Sequence, residues 1–287
     1  MRIAPMANFK PIVHRYTTPR YLTVNIFLVE TENGVVVIDA ATAISTSHEI
    51  RNIVDQKIKK PLLAVLLTHG HPDHYVGVGE IVQGLDIPIC ATQGVIDFAK
   101  YQDREKFETL ITRNYGDDAP PTRVFPNQVV KDNDVLTFDN VEFHIQDLGP
   151  CESDADSLWT IAIDRVRHIF LGDIVYNHTH SYFRDGHALN WLKTLDKLLQ
   201  AFDHTAIFYP GHGEICGTEV IYWQKAYIQA FLGTLKSMLG SRDRLDDADK
   251  NQLVGKMKSF LPNEKLIFLM QYELDETIKI LKETNVI

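Results

Sequence analysis

The residues most able to do chemistry stand together in one short segment, Thr-His-Gly-His-Pro-Asp-His at positions 68–74. An apolar run at residues 62–67 precedes it and is typical of a buried strand. Gly70 and Pro72 interrupt regular structure, so we expect a tight loop at the end of that strand. Three imidazoles and a carboxylate suit a divalent metal such as zinc. A plain histidine-rich surface loop is the alternative, and it is disfavoured by four potential ligands in this order: His69, His71, Asp73 and His74.

Further ligand-type side chains occur at the ends of other predicted strands. Asp39 and Asp173 each come directly after an apolar strand. Glu152 lies in the turn at residues 149–153, and His212 stands in a Pro-Gly-His-Gly segment after the last strand. A carboxylate beside an apolar strand is costly to bury unless it is paired or bound to a metal. One such residue is more often part of a turn, but the set together forms a pattern.

The apolar pattern predicts strands and helices that alternate along the chain. Residues 22–29 and 34–39 form a predicted hairpin around an Asn-Gly turn. Thr46 opens a capping-box pattern, which predicts a helix to about Lys59. The other predicted strands are 62–67, 87–90, 122–125, 135–138, 141–147, 157–163, 167–172 and 206–209, and the other predicted helices are 75–84, 93–114, 189–201 and the region after Gly217.

These elements recur in two similar rounds, residues 1–115 and 120–215. That order predicts an α/β (α+β) fold in which two sheets pack together with helices outside. No low-complexity linker separates a second independent domain. We therefore predict one main domain at residues 1–216 and a helical C-terminal extension at residues 217–287 that packs on the same domain.

Composition limits the classes of function. The 287 residues can form one large domain or two small ones, and a 45% hydrophobic content is normal for a globular protein. The net charge of −9 argues against a nucleic-acid substrate. Three widely spaced cysteines indicate no disulfide framework. Residues 1–7 are too short for a secretory signal, and no run of about 20 apolar residues occurs. We expect a cytoplasmic protein with a small-molecule substrate and no membrane or nucleic-acid partner.

In the type and order of these motifs the chain resembles the metallo-β-lactamase-fold hydrolases. The resemblance covers residues 20–216, and the histidine loop and the Pro-Gly-His-Gly segment carry most of it. It implies a four-layer αββα sandwich of two mixed β-sheets flanked by helices, with a two-metal site on its edge. The implied cofactor is Zn²⁺, with two ions per chain.

The resemblance also implies a role for each motif residue. The first metal would be held by His69 and His71. Asp173 would bridge both metals, and Asp39 would brace the histidine loop, because a ligand histidine normally needs a partner on its other ring nitrogen. The ligands of the second metal would be Asp73, His74 and His212.

The turn at residues 149–153 departs from the family, which usually has a histidine there as the remaining ligand of the first metal. Glu152 takes that position here, and a carboxylate is still a competent zinc ligand. It is harder than imidazole and negatively charged, which favours Mn²⁺ or Fe²⁺ more than a histidine would. Cys151 is a second candidate, since thiolate binds zinc well. A third reading is that neither binds and only the second metal is held tightly.

The expected reaction is hydrolysis of an ester, thioester, lactone or amide of a small molecule. Two metals can hold a hydroxide that attacks the carbonyl, and Asp73 would act as the catalytic residue that orients it or passes its proton on. A β-lactam hydrolase is one alternative. A non-catalytic or sensing metal-binding protein that kept the fold is another, and only Glu152 favours it.

The sequence carries weaker signals for substrate-binding residues than for metal ligands. His178, His180 and Tyr182 follow Asp173 on a loop expected to border the site, and we take them as candidate substrate-binding residues. Ordinary polar loop residues are the alternative. The C-terminal helices are expected to contribute to the core, because one apolar stripe has helical spacing: Trp223, Tyr227, Phe231 and Leu235. A lid over the site and a homodimer face are the alternatives.

Overall fold

Two mixed β-sheets lie face to face in the computed structural model, which describes residues 9–19 and 21–287. The expectation about residues 1–7 lies outside the described residues. In the first sheet, the first three strands pair antiparallel and the last four are parallel to one another. Its six strands follow chain order: β1 (Ile12–Thr17), β2 (Asn25–Glu30), β3 (Val35–Ile38), β4 (Leu62–Leu66), β5 (Ile89–Thr92) and β6 (Gln128–Val130).

The second sheet has five strands in the spatial order β11-β10-β9-β8-β7. All neighbours pair antiparallel except the last two strands in sequence, which are parallel. The strands are β7 (Val135–Phe138), β8 (Val141–Gly149), β9 (Asp156–Ile163), β10 (Val166–Asn177) and β11 (Ile207–Gly213).

Helices cover the outer face of each sheet, so the layers run helix, sheet, sheet, helix as predicted. On the first sheet, α1 continues as a π-helix over Ile53–Ile58, and α4 continues as one over Phe107–Thr112. Helices of this half are α1 (Ile44–Asn52), α2 (Pro72–Tyr75), α3 (Val78–Ile81), α4 (Gln93–Lys106) and α5 (Arg113–Tyr115). Those of the second half are α6 (Ala188–Ala201), α7 (Val220–Leu239), α8 (Asp247–Phe260), α9 (Ile267–Gln271) and α10 (Leu274–Glu283).

Three apolar clusters hold the layers together. One lies between the sheets and brings Phe27 of β2 against Phe143, Trp159 and Phe170 of the second sheet. The second lies between the first sheet and α1 to α4. Burial of such side chains contributes roughly 1.5–3 kcal/mol each relative to exposure, so these clusters are the main source of stability.

The C-terminal helices share the third cluster with the second sheet and α6. Tyr227, Phe231 and Leu235 of α7 are fully buried there, which confirms the predicted core stripe, while Trp223 is only partly buried. The domain division at residue 216 stays a prediction. No helix in the described part of the chain is both long and apolar enough to cross a membrane.

Local differences from the predicted elements have physical causes. The helix predicted from Thr46 begins at Ile44, and the Thr46 hydroxyl donates back to the Ala43 carbonyl instead of capping the helix. The strand predicted at 122–125 is absent, because Val124 and Phe125 pack against the helix side of the first sheet; the sheet resumes at β6. The half-exposed edge strand β1, which carries weak alternation, went unpredicted.

Candidate metal centre

The histidine loop is shaped by a strand that stops and a short helix that begins. After β4 the chain runs extended to His71, and Pro72 then occupies the first position of α2, where its missing N–H costs nothing. His69 and His71 therefore lie on extended backbone, while Asp73 and His74 lie on the first turn of the helix. All four residues are buried, with at most 5% of their surface exposed.

Asp39 is hydrogen-bonded to this loop. It follows β3 in the left-handed region, with φ of 63°, which turns its carboxylate toward the neighbouring strand end. It accepts hydrogen bonds from the Thr68 backbone N–H (2.8 Å) and the Thr68 hydroxyl (2.8 Å). It also accepts one from His74 Nδ1 (2.9 Å). Because Nδ1 then carries the hydrogen, His74 presents the lone pair of Nε2 to the site.

Two more imidazoles are oriented in the same way, by an acceptor on one ring nitrogen. His212 of β11 donates from Nδ1 to the Thr23 carbonyl oxygen (2.7 Å), which leaves its Nε2 free. His71 donates from Nε2 to the Asp185 carboxylate (2.8 Å), and its Nδ1 faces inward, 3.1 Å from His69 Nε2. An acceptor on the outer nitrogen of a histidine is the usual arrangement around a metal ligand.

The inward-facing atoms form two groups, within each of which the candidate ligand atoms lie no more than 4.8 Å apart. In the first group His71 Nδ1 lies 3.5 Å from Glu152 Oε2, and His69 Nε2 lies 3.9 Å from Asp173 Oδ2. The members of the first group are His69, His71, Glu152 and Asp173. The members of the second group are Asp73, His74 and His212.

Asp173 connects the two groups. One of its carboxylate oxygens lies 3.2 Å from His212 Nε2, and the other lies 3.3 Å from His74 Nε2. Its position depends on Gly172, whose φ of 52° turns β10 so that the carboxylate points toward the histidine loop. Asp173 therefore faces both groups of candidate ligands.

The donor set fits divalent metal ions. His74 Nε2, Glu152 Oε2 and Asp173 Oδ1 are buried and have no hydrogen-bond partner among the described residues. Leaving such polar atoms unpaired is costly, so each calls for a partner that the protein alone does not supply. Nitrogen and oxygen donors in two tight groups suit zinc, and also manganese or iron.

Electrostatics point the same way. Burial, together with Asp173, Asp156 and Asp185, raises the pKa of Glu152 well above its usual value. Burial opposes protonation of His74, but Asp173, Asp73 and Asp39 raise its pKa well above the ordinary range. Without cations Glu152 and His74 thus favour their protonated forms, and bound cations would take over the role of those protons.

Glu152, rather than Cys151, lies in the first ligand group. Cys151 packs in the apolar cluster under α6, and burial raises the pKa of its thiol well above the usual value, so the thiol stays protonated. Because metals bind the thiolate, Cys151 is poorly suited to the ligand role that the sequence left open.

The expected substrate-binding residues fall in different places. Tyr182 lines the cavity beside the site, with its ring 5.4 Å from the ring of His71. His178 is exposed and stacks on Trp223. His180 is buried and bonds to the Tyr227 hydroxyl and the Asn263 carbonyl. The structure does not bring His178 or His180 to the cavity.

Sequence reasoning missed three polar residues at the site. Asp185 holds His71 and comes from a loop with no recognisable motif. The Tyr176 hydroxyl lies 3.0 Å from Glu152 Oε1 and 2.8 Å from Asp173 Oδ2; it was missed because β10 was predicted to end at 172. Lys106 looks like part of the charged face of α4, yet it is only 8% exposed.

A narrow cavity of about 40 Å³ opens beside the ligands. Its floor includes Asp73, Asp173 and His212, and its walls are largely aromatic and aliphatic. Phe268 and Leu269 of α9 form part of its lining, and the Tyr21 ring packs 5.3 Å from the ring of Phe268. The C-terminal helices therefore contribute residues to the wall of the site as well as to the core.

Comparisons with known proteins agree with this geometry. The family model described as the Metallo-beta-lactamase superfamily matches residues 20–212. A beta-lactamase domain protein from Burkholderia ambifaria superposes with a TM-score of 0.63 at 17% identity, over 95% of this chain and 89% of that one. A metallo-beta-lactamase from Pontibacter korlensis gives 0.61 at 16% identity, over 80% and 97%. At these identities the likeness shows the fold alone. No curated protein matches the chain by sequence.

Proposed function

The chain belongs to the metallo-beta-lactamase superfamily, and we propose that it is a dinuclear zinc hydrolase of small molecules. The bond cleaved is that of an ester, thioester, lactone or amide. The observation that carries the proposal is the pair of buried ligand groups joined by Asp173, with three orphaned donor atoms aimed between them.

Each group would hold one ion. His69, His71 and Glu152 would serve the first, Asp173 would serve both, and the second group would be completed by Asp73, His74 and His212. Ions bound there would acidify water and stabilise the negative charge that develops on an attacked carbonyl oxygen.

The chain's own residues supply the rest of the chemistry. Water adds to the carbonyl carbon, the bond to the leaving group breaks, and the leaving group takes a proton. Asp73 lines the cavity and lies 3.4 Å from His212 Nε2, and in this proposal its carboxylate would orient the water and accept its proton. The apolar side chains of Phe268 and Leu269 add to the cavity wall and would lower the local polarity around a bound substrate.

Glu152 bears on the choice of metal. A carboxylate in place of a neutral imidazole adds one negative charge and a harder donor to the first site. We keep zinc as the expected ion, and the carboxylate makes Mn²⁺ and Fe²⁺ the competitors to test.

Metal analysis and activity together test the proposal. The protein is purified without added metal, its ions are counted by mass spectrometry, and it is assayed on an ester, a thioester, a lactone, an amide and a chromogenic β-lactam. We expect about two ions per chain and turnover that chelation abolishes and Zn²⁺ restores.

Other results would change the conclusion in distinct ways. Full activity in metal-free protein would sink the proposal. One ion per chain would remove the dinuclear site. Turnover of the β-lactam alone would replace the proposed substrate class with that of a β-lactam hydrolase. Two ions without turnover on any substrate would favour a sensing or binding protein.

A further inference from the structure

A buried lysine faces the same cavity from α4. Lys106 is 8% exposed, and its ammonium lies 3.2 Å from the Tyr182 hydroxyl and 5.1 Å from the centre of the Tyr182 ring. Within the described residues it forms no ion pair and makes no other hydrogen bond. An ammonium has three donors, so two of them are left without a protein partner. A buried cation in that state is costly unless an anion or water meets it.

The bond to Tyr182 has only one possible direction. An ammonium cannot accept, so the Tyr182 oxygen accepts from Lys106 and keeps its own hydrogen for another acceptor. No other hydrogen bond of that hydroxyl is found within the described chain. Burial raises the pKa of Tyr182 well above its usual value, so the hydroxyl keeps its proton at neutral pH. Lys106 and Tyr182, which both line the cavity, thus have several donors without a partner in the described chain.

Burial works against the charged form of Lys106 and lowers its pKa, and the nearby carboxylates of Asp185 and Glu273 oppose part of that effect. Asp185 is itself committed to His71, at 2.8 Å. The ammonium is therefore held in place without being neutralised by a direct partner.

We propose that Lys106 and Tyr182 form a carboxylate subsite, so that the substrate is an acyl compound with a carboxylate close to the scissile bond. This inference rests on the proposed function. The Tyr182 ring is 5.4 Å from the ring of His71 and both residues line the same narrow cavity, so a carboxylate bound here would lie close to the reacting carbonyl. A succinyl monoester is the simplest compound of this kind.

Binding of two inert probes tests the subsite without relying on turnover. Succinate and butyrate have the same carbon count and differ by one carboxylate. Their dissociation constants are measured by calorimetry on zinc-loaded protein whose metal content is determined first. We expect wild type to prefer succinate and Lys106→Met to lose roughly ten- to a hundredfold of that preference, because a hydrogen bond to a charged group is removed. Tyr182→Phe should lose a smaller part of it.

Two controls accompany these variants. Lys106→Arg keeps the charge and should retain most of the preference. Lys100→Met removes an exposed lysine from the same helix and should leave the preference unchanged.

The outcomes separate the subsite from the metal centre. Two bound ions with equal affinity for both probes in wild type would overturn the subsite and leave the proposed hydrolase standing. A Lys106→Met variant that loses metal or thermal stability while keeping the succinate preference would show that Lys106 only balances Asp185, which also overturns it. Protein that binds no metal would defeat the proposed function, and the inference would fall with it.

Discussion

Glu152 is the residue at which this site departs from its family, and its environment explains how a carboxylate can stand there. One oxygen lies 3.0 Å from the Tyr176 hydroxyl, while the other has no partner and faces His71 Nδ1 at 3.5 Å. The neighbouring Asp173 and Asp156 raise the pKa of the buried carboxyl. A cation is the partner that satisfies the free oxygen and removes the repulsion.

Replacement of Glu152 by alanine is therefore expected to empty the first metal site. Bound metal should fall from about two ions per chain to one, because only two histidines and a shared aspartate would remain to hold the first ion. Mass spectrometry of the native protein measures the stoichiometry. Glu142→Ala removes an exposed carboxylate from β8 and serves as the matched control. Equal metal content in wild type and Glu152→Ala would exclude Glu152 as a ligand.

Asp185 acts through His71 and offers a second test at this scale. Asp185→Asn keeps the shape but removes the charge that holds the His71 Nε2 hydrogen. We expect metal affinity to fall about tenfold, at the lower end of the usual effect of such partners. Competition with a chromophoric chelator measures the affinity. Asp154→Asn, which alters an exposed partner of His187, should leave it unchanged.

At the scale of elements, the site depends on strands that end in glycine-assisted turns. Gly211 in β11 lies against two ligands: a Cβ there would stand 2.7 Å from His74 Cε1 and would also meet Asp173 Oδ1. Gly172 has a φ of 52° and packs against Thr68 of the histidine loop. The backbone therefore approaches the ligand side chains more closely than any other residue type permits.

Gly211→Ala should consequently weaken metal binding at both groups, because Asp173 and His74 must move to make room. The affinity measured by chelator competition is expected to fall at least tenfold, while the circular dichroism spectrum stays that of the folded protein. Gly233→Ala in the exposed face of α7 has open space around it and is the control. It should raise the free energy of unfolding by about 0.5–1 kcal/mol. Unchanged metal affinity in Gly211→Ala would contradict this account.

The sequence predicted those parts of the site in which a ligand-type residue stands directly beside a recognisable strand end or turn. An apolar strand followed by Gly70 and Pro72 was enough to predict the loop at residues 68–74. Asp39 could be singled out because it follows a strand directly. His178 and His180 were expected nearby because they follow Asp173. Instead β10 continues to Asn177, and both histidines contact residues of α7.

Other features depend on contacts between distant segments and leave no local signal. Lys106 has the spacing of an ordinary solvated lysine, and only the packing of α4 against Tyr182 buries it. Asp185 is one acidic residue in an irregular loop, and its role appears when that loop meets His71. The four-layer order was predicted because it follows from alternating strands and helices.

At the scale of the whole molecule, negative charge is concentrated in one place. The buried carboxylates of the described residues all surround the metal centre: Asp39, Asp73, Glu152, Asp156, Asp173 and Asp185. Four imidazoles and Lys106 do not neutralise them without taking up protons. The folded state without metal therefore carries an electrostatic cost at its centre.

Metal should consequently raise the thermal stability of the whole protein. Zinc at about a thousand times its dissociation constant contributes roughly 4 kcal/mol per site, which corresponds to a rise in Tm on the order of 10 °C. Differential scanning calorimetry of chelated and reloaded protein measures the change. The Glu152→Ala variant should show a smaller rise. A Tm that ignores metal would contradict the assignment of these residues as ligands.

The two ligand groups draw on chain segments far apart in sequence, from His69 on the first sheet to His212 on the second. An ion bound by ligands from both sheets would act as a removable cross-link between the two halves of the sandwich. In an unfolded chain only the short histidine loop can meet a metal, because closing the larger loop costs entropy. Metal would then be captured fully only after both sheets have docked, so its uptake during refolding would report the last step of assembly.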